Sequence, residues 1–198
     1  MVRVVLATHN RHKALEFQQI LGDAVPGLEI VGYDGPEPVE DGVTFAENAL
    51  IKARAAAAHT GLPALADDSG ICVDAMGGAP GIFSARWAGR HGDAQANLSL
   101  LLDQLADLPD GTRGAHFTAT LALVTPAGAT TVVEGVWPGR IAREAAGSHG
   151  HGYDPIFVPE GHDATAAELG PEVKNAESHR SRAFAAIVPA LKELVAAG

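Results

Sequence analysis

Two adjacent carboxylates, Asp67 and Asp68, directly follow the apolar run 62–66 and precede Ser69-Gly70. In α/β folds the carboxyl ends of strands face the ligand crevice. Oxygen donors at such a place suit magnesium, a hard cation that keeps several waters while it handles phosphate. A carboxylate beside metal-bound water can also serve as a general base. Asp, Ser and Gly are turn formers too, so an ordinary acidic turn is the competing reading. A second candidate is Thr8-His9-Asn10-Arg11-His12-Lys13, which leaves the first apolar run and leads into a helical pattern. Unpaired backbone N–H groups at a helix start favour phosphate. Lys13 adds a full positive charge, and Thr8 and Asn10 add hydrogen-bonding side chains. The glycines and the Gly-Lys-Ser/Thr ending of a Walker loop are missing. A capped helix with a solvated lysine is the plain alternative.

Glu40 lies in an acidic, proline-bearing turn, and Asn48 and Lys52 follow at a spacing of four. On a helix that spacing puts both on one face, able to reach one ligand or simply to meet solvent. Gly150-His151-Gly152-Tyr153-Asp154-Pro155 pairs flexible glycines with rings and a carboxylate. Such a loop allows close backbone approach, stacking on a base and reading of its edge, or merely packs Tyr153 as cover. Lys174 and Ser178-His179-Arg180 bring cations to the start of a last helix. The histidines at 91, 149, 151 and 162 have no helical His-x-x-x-His spacing and no cysteine beside them, which argues against structural zinc.

The elements that must hold these groups follow from periodicity. Residues 2–7 are an apolar run, read as a strand buried on both faces. Residues 14–21 recur at helical spacing and stop at Gly22. Residues 28–31 form a short strand. Thr44-Phe45-Ala46-Glu47 has the form of a capping box and opens a helix to about residue 58, closed by Gly61. Residues 62–66 and 71–73 read as two short strands around the acidic pair, and 93–105 as a helix. Residues 117–123 alternate as a half-buried strand, 126–128 turn, and 131–136 return. Residues 178–196 read as a terminal helix kinked or interrupted near Pro189. No repeat and no linker divides the chain, so one α/β domain over residues 1–198 is expected.

The 198 residues are 46% hydrophobic and 19% charged, which is globular. No run approaches the ~20 apolar residues of a membrane span. Formal charge is −10 with only 14 Lys plus Arg, which argues against a nucleic-acid grip. An acidic chain that binds a phosphorylated small molecule must place its few cations locally or recruit a divalent metal. A single cysteine, Cys72, forms no internal disulfide, and the cytoplasm is the expected compartment.

Taken together and in order, these segments resemble the inosine triphosphate pyrophosphatase family. The resemblance rests on Thr8-x-Asn10-x-x-Lys13, Thr44-Phe45-x-Glu47-Asn48-Ala49-x-x-Lys52-Ala53 and Ala66-Asp67-Asp68-Ser69-Gly70. It continues through Gly77-Gly78-Ala79-Pro80-Gly81-Ile82-Phe83-Ser84-Ala85-Arg86, Gly152-Tyr153-Asp154-Pro155 and Ser178-His179-Arg180, and so covers essentially the whole chain.

The resemblance implies an elongated α/β fold of two lobes around a central substrate cleft, a homodimer, and Mg²⁺-dependent hydrolysis of non-standard purine triphosphates. Carried over by position, the turn Thr8, His9, Asn10, Arg11, His12, Lys13 holds the triphosphate, helped by Lys52. Asp68 is the proton acceptor and, with Glu40, the magnesium site; Ser69 touches substrate. His151, Gly152, Tyr153, Asp154, Lys174, His179 and Arg180 form the base and sugar end, and Arg86 reaches toward the phosphates. The chain departs from the family at two places: His9 stands where glycine is usual, and His151 where phenylalanine is usual. Two other readings remain at this point: a pyrophosphatase for other nucleotides, and a non-catalytic nucleotide-binding module.

Overall fold

The computed structural model describes residues 1–9 and 11–197, the side chains of residues 11–16 excepted. Its strands are β1 (Val2–Leu6), β2 (Leu28–Val31), β3 (Ala64–Val73), β4 (Gly114–Val124), β5 (Thr130–Ile141) and β6 (Phe157–Pro159). Its helices are α1 (Arg11–Ala24), α2 (Phe45–Thr60), α3 (Ala94–Gln104), α4 (Ala166–Glu177) and α5 (His179–Ala197). The strands form one sheet in the order β2-β1-β3-β4-β5-β6. β1 runs parallel to β2 and to β3, while β5 and β6 are antiparallel, so the sheet is mixed. The expected α/β class is borne out. Among the described residues no helix is long and apolar enough to cross a membrane.

The chain divides into two compact units. The first comprises Met1–Asp68, Ala119–Gly135 and Arg182–Gly198. Period-two alternation organises its core, because successive strand residues leave on opposite faces. Val4 and Leu6 of β1, Leu65 of β3 and Leu121 of β4 pack with Phe17 and Leu21 of α1 and Phe184 and Ile187 of α5. Phe17 and Phe184 meet edge to face at 4.6 Å. Val5, Ala64 and Ala66 face the other way, against Ala49, Ala53 and Ala56 of α2. Small alanines on α2 let that helix lie close to the strands, which sets the reach of its longer side chains. The helix starts with the expected capping box: Thr44 Oγ1 accepts from Glu47 N at 3.1 Å, and Glu47 Oε2 accepts from Thr44 N at 3.1 Å. Gly61 closes it in the left-handed region, with φ 67°.

The second unit comprises Ser69–Thr118 and Val136–Ser181. Its core packs Ile71, Leu98, Leu101, Phe117, Trp137, Ile141 and Phe157. Arg113, only 2% exposed, sits at its edge. The guanidinium donates to the carbonyls of Leu105, Ile141 and Ala142, the last at 2.7 Å. Burial, then Arg143, pulls its pKa below the usual arginine value against the opposing pull of Asp110.

Three sequence expectations change. Residues 67–70 are not a turn between two short strands, because β3 continues straight through them. The extended backbone of β3, held in the sheet between β1 and β4, overrides the local turn preference of Asp, Ser and Gly. Of the two expectations for the terminal helix, a kink or an interruption at Pro189, the interruption does not occur: α5 runs through Pro189. Pro189 and Ala185, the residue whose carbonyl it leaves without a donor, are both exposed, so water can take that place. β5 reaches from 130 to 141 rather than stopping at 136, and α4 and β6 went unread in the sequence.

Candidate active site

In the first unit, strand alternation decides what the acidic pair does. Asp68 leaves β3 on the Ala64 and Ala66 face, toward α2, whereas Asp67 leaves on the opposite face. The partner of Asp68 is therefore not its neighbour in sequence but a side chain of α2. Lys52 Nζ lies 3.0 Å from Glu40 Oε2 and 3.6 Å from Asp68 Oδ1. Asn48, one helical turn before Lys52, is buried and hydrogen-bonds Asp68. Its Oδ1 also accepts the Gly42 N–H at 3.0 Å.

Charge in this cluster is unevenly balanced. Burial alone would lower the Lys52 ammonium, yet Asp68, Glu40 and Asp67 outweigh it and hold Lys52 above the ordinary lysine value. Burial pushes the Asp68 carboxyl up; Lys52 and the Asn48 hydrogen bond pull it down, while Glu40 and Asp67 add to the rise, and the net shift is upward. Lys52 rises because one ammonium serves three carboxylates, and Asp68 rises mainly because it is buried, with Glu40 and Asp67 adding to it. Lys52 is favoured in its charged form, and Asp68 becomes a stronger base than a free aspartate.

Among the described residues no group of three or more His, Cys, Asp and Glu is arranged to hold a metal ion. Glu40 and Asp68, converging on one ammonium, make a set of two. Magnesium is commonly held by one or two carboxylates with substrate phosphates completing its shell, so this donor set fits it. Thr8 and His9 line a cavity of about 640 Å³ with Arg3, Tyr33 and Asp34. Asn10 and the side chains of Arg11, His12 and Lys13 lie outside the described residues.

In the second unit, Ser69, His151, Gly152, Tyr153, Asp154, Lys174, His179 and Arg180 line one cavity of about 410 Å³. The loop that brings them together is built around Asp154, which is 2% exposed. Its Oδ2 accepts the His151 N–H at 2.8 Å and pairs with Lys174. Gly150, at φ 76°, leaves room for that carboxylate, which a Cβ would strike. Tyr153 is buried, and its hydroxyl donates to the Ser84 carbonyl at 2.8 Å. Burial raises the Tyr153 pKa, so the ring is a fixed, protonated post.

Three lining residues were given no role in the sequence reading, although Ser84 stood within its 77–86 motif. Phe117 stacks on His179 at 4.9 Å, with planes 12° apart, and forms part of the cavity wall. The alternating run 117–123 marked it only as core. Ser84 Oγ donates to the Gly81 carbonyl at 2.6 Å and accepts the Ile71 N–H at 2.9 Å. Asn97 accepts from Ala88 N at 2.7 Å and donates to Ala85 O at 3.1 Å. Apart from Gly81, their partners are backbone groups 9 to 13 residues away, which no local pattern announces. Arg86 stands over the Phe83 ring, 5.3 Å from its centroid.

A mixed sheet flanked by helices, a lysine shared among carboxylates and a cation-lined cavity with an aromatic wall define an α/β protein of the nucleotide-handling class. Residues 4–190 match the sequence model of the Ham1 family, and the chain belongs to that family. It is 87% identical over 194 residues, 98% of either chain, to a Leifsonia xyli protein named dITP/XTP pyrophosphatase. Among solved structures it resembles the nucleoside-triphosphatase / dITP/XTP pyrophosphatase of Mycobacterium abscessus. The TM-score is 0.83 at 52% identity, over 95% of this chain and 100% of that one. It also resembles a HAM1 protein from Coxiella burnetii, with a TM-score of 0.90 at 43% identity over 98% and 100% of the two chains. The kinship read from the motifs is borne out.

Proposed function

We propose that this protein hydrolyses non-standard purine nucleoside triphosphates, dITP, ITP, XTP and dXTP, to the monophosphate and pyrophosphate, and so cleanses the nucleotide pool. The observation that carries the reading is Lys52 held between Glu40 and Asp68, with Asp68 made more basic by burial. The names of the relatives support the substrate class. The magnesium requirement, the homodimer and the cytoplasmic compartment belong to the same proposal, as does a small-molecule partner rather than nucleic acid or membrane.

Glu40 and Asp68 would hold magnesium, which when bound would supply charge screening of the phosphates and Lewis acidity. The 8–13 turn, through its N–H groups and Lys13, binds the β- and γ-phosphates with help from Lys52. Asp68 orients a water and takes its proton as the oxygen attacks the α-phosphorus. The new P–O bond forms as the α–β anhydride bond breaks, and pyrophosphate departs. Positioning and charge neutralisation supply most of the acceleration. The cavity of Ser69, His151, Lys174, His179 and Arg180 receives the purine and sugar. Hypoxanthine and xanthine carry a 6-oxo group where adenine has an amino group. A donor aimed at that oxygen is left unpaired against adenine, a penalty worth ~10⁴-fold or more in favourable cases.

The deciding measurement is magnesium-dependent release of pyrophosphate from dITP and XTP with ATP and GTP alongside. Release of orthophosphate, or equal turnover of all four, overturns the reading. Asp68→Asn is expected to cut kcat about 10²- to 10⁴-fold with little change in KM. A near-normal kcat would assign the base elsewhere.

A further inference from the structure

The segment 32–44 joins β2 to α2 and carries Glu40 between two anchors. On the α2 side, Gly42 N–H donates to Asn48 Oδ1 at 3.0 Å and Val43 N–H to Glu47 Oε2 at 2.7 Å. On the other side a single ring from the exit of β1 does the holding. His9 Nδ1 lies 2.8 Å from Glu37 Oε1, and Nε2 lies 2.9 Å from the Gly35 carbonyl. A carbonyl oxygen only accepts, so Nε2–H is the donor in that bond. The imidazole also lies flat against Tyr33, centroids 5.6 Å apart and planes 4° apart. Tyr33 turns its hydroxyl to the Pro36 carbonyl at 2.9 Å, so the ring that His9 rests on is itself tied to the segment. A Cβ at Gly35 would displace the Tyr33 ring and His59, so glycine keeps the stack in place.

We infer that His9 is a positioning residue for Glu40. Its side chain braces residues 33–37 from the phosphate turn, so that Glu40 is presented to Lys52 and the metal, while its backbone stays available to phosphate. The inference rests on the proposed reading of Glu40 as a metal-holding carboxylate. An ordinary surface ion pair is the competing account, since His9 and Glu37 side chains are 42% and 74% exposed and such pairs contribute little to global stability. The brace differs in what it holds: three contacts from one ring converge on a segment whose opposite end is fixed on α2. Its effect is therefore local order at Glu40 rather than resistance to unfolding.

The test compares His9→Ala, His9→Phe, Glu37→Ala and Glu37→Gln with the native chain. Hydrogen exchange on the nucleotide-free protein reads protection of amides 35–41, and kinetics with dITP reads the half-saturating magnesium concentration. His9→Ala and Glu37→Ala are each expected to lose roughly fivefold in protection and to need several-fold more magnesium; Glu37→Ala, which lies outside the phosphate turn, should do so with kcat at saturating metal nearly intact. A variant carrying both alanines should be no worse than His9→Ala alone, because the Glu37 contact is already lost with the His9 ring. Glu37→Gln keeps an accepting oxygen and should retain most of the effect. His9→Phe keeps the stacking and should still show the loss. Unchanged protection and magnesium requirement in His9→Ala would overturn the brace. Should the native chain release no pyrophosphate from any nucleotide, the proposed activity fails, while the exchange comparison still decides whether His9 orders the Glu40 segment.

Discussion

Lys52 and Asp68 illustrate how a contact that favours charge on both partners can still leave one of them shifted against its charged form, because burial outweighs it. The ammonium collects three carboxylates and is held charged; Asp68 shares that ammonium, loses solvent and faces two like charges. A carboxyl whose pKa is raised on folding stabilises the fold below the ordinary carboxylate range. That contribution is lost as pH rises through the folded value. At neutral pH the metal-free protein thus bears the cost of an ionised Asp68. Asp68→Asn, besides losing turnover, is expected to melt at a higher temperature than the native chain in chelator at pH 7. The advantage should shrink as pH falls into the carboxylate range. Calorimetric melts across that range check it, and an advantage that grew on acidification would contradict the assigned direction. Asp68 and Lys52 were legible in the sequence as motif residues. That Asp67 leaves on the other face was not, because the acidic pair reads locally as a turn.

At the scale of elements, the buried Arg113 ties the end of α3 to the end of β5 through three carbonyls. Its planar fork of donors is matched to that task, and a lysine ammonium cannot span the same oxygens. Arg113→Met is expected to cost about 3 kcal/mol, roughly 6–12 °C in melting temperature, with Arg113→Lys recovering little. A loss under ~1 kcal/mol would mean that water replaces the guanidinium at these carbonyls. Nothing in the sequence marked this arginine, since its partners become neighbours only after folding. The same limit explains α4. Thr165 and Glu168 form a capping box there, but Gly170-Pro171 reads as a break. The backbone does leave the helical region at Gly170, with φ 80°, and helix resumes on both sides of it. By contrast α2, with its capping box, alanine face and terminal glycine, announced itself from start to stop. β6 spans only Phe157–Pro159, too short to carry a period.

For the whole molecule, β3, β4 and β5 each contribute residues to both compact units, with β3 changing unit at the Asp68–Ser69 peptide bond. Units that share covalent strands are expected to lose structure together. Trp87 and Trp137 both belong to the second unit, so their fluorescence reports on it alone, whereas far-UV dichroism reports on all helices. The two denaturation curves should coincide; separated midpoints would reveal independent stability. Organisation at this scale was the least visible in sequence, because each core is assembled from segments far apart along the chain. The lysine inventory carries one last consequence. The chain has four lysines, Lys13, Lys52, Lys174 and Lys192. Acylating reagents attack the neutral amine, and Lys52 is both 17% exposed and held in its ammonium form by its carboxylates. Limited treatment with an active ester should therefore mark the exposed Lys192 early and Lys52 late. A peptide map with that order would let a dye or tether be attached at Lys192 while the amine beside Asp68 stays unlabelled.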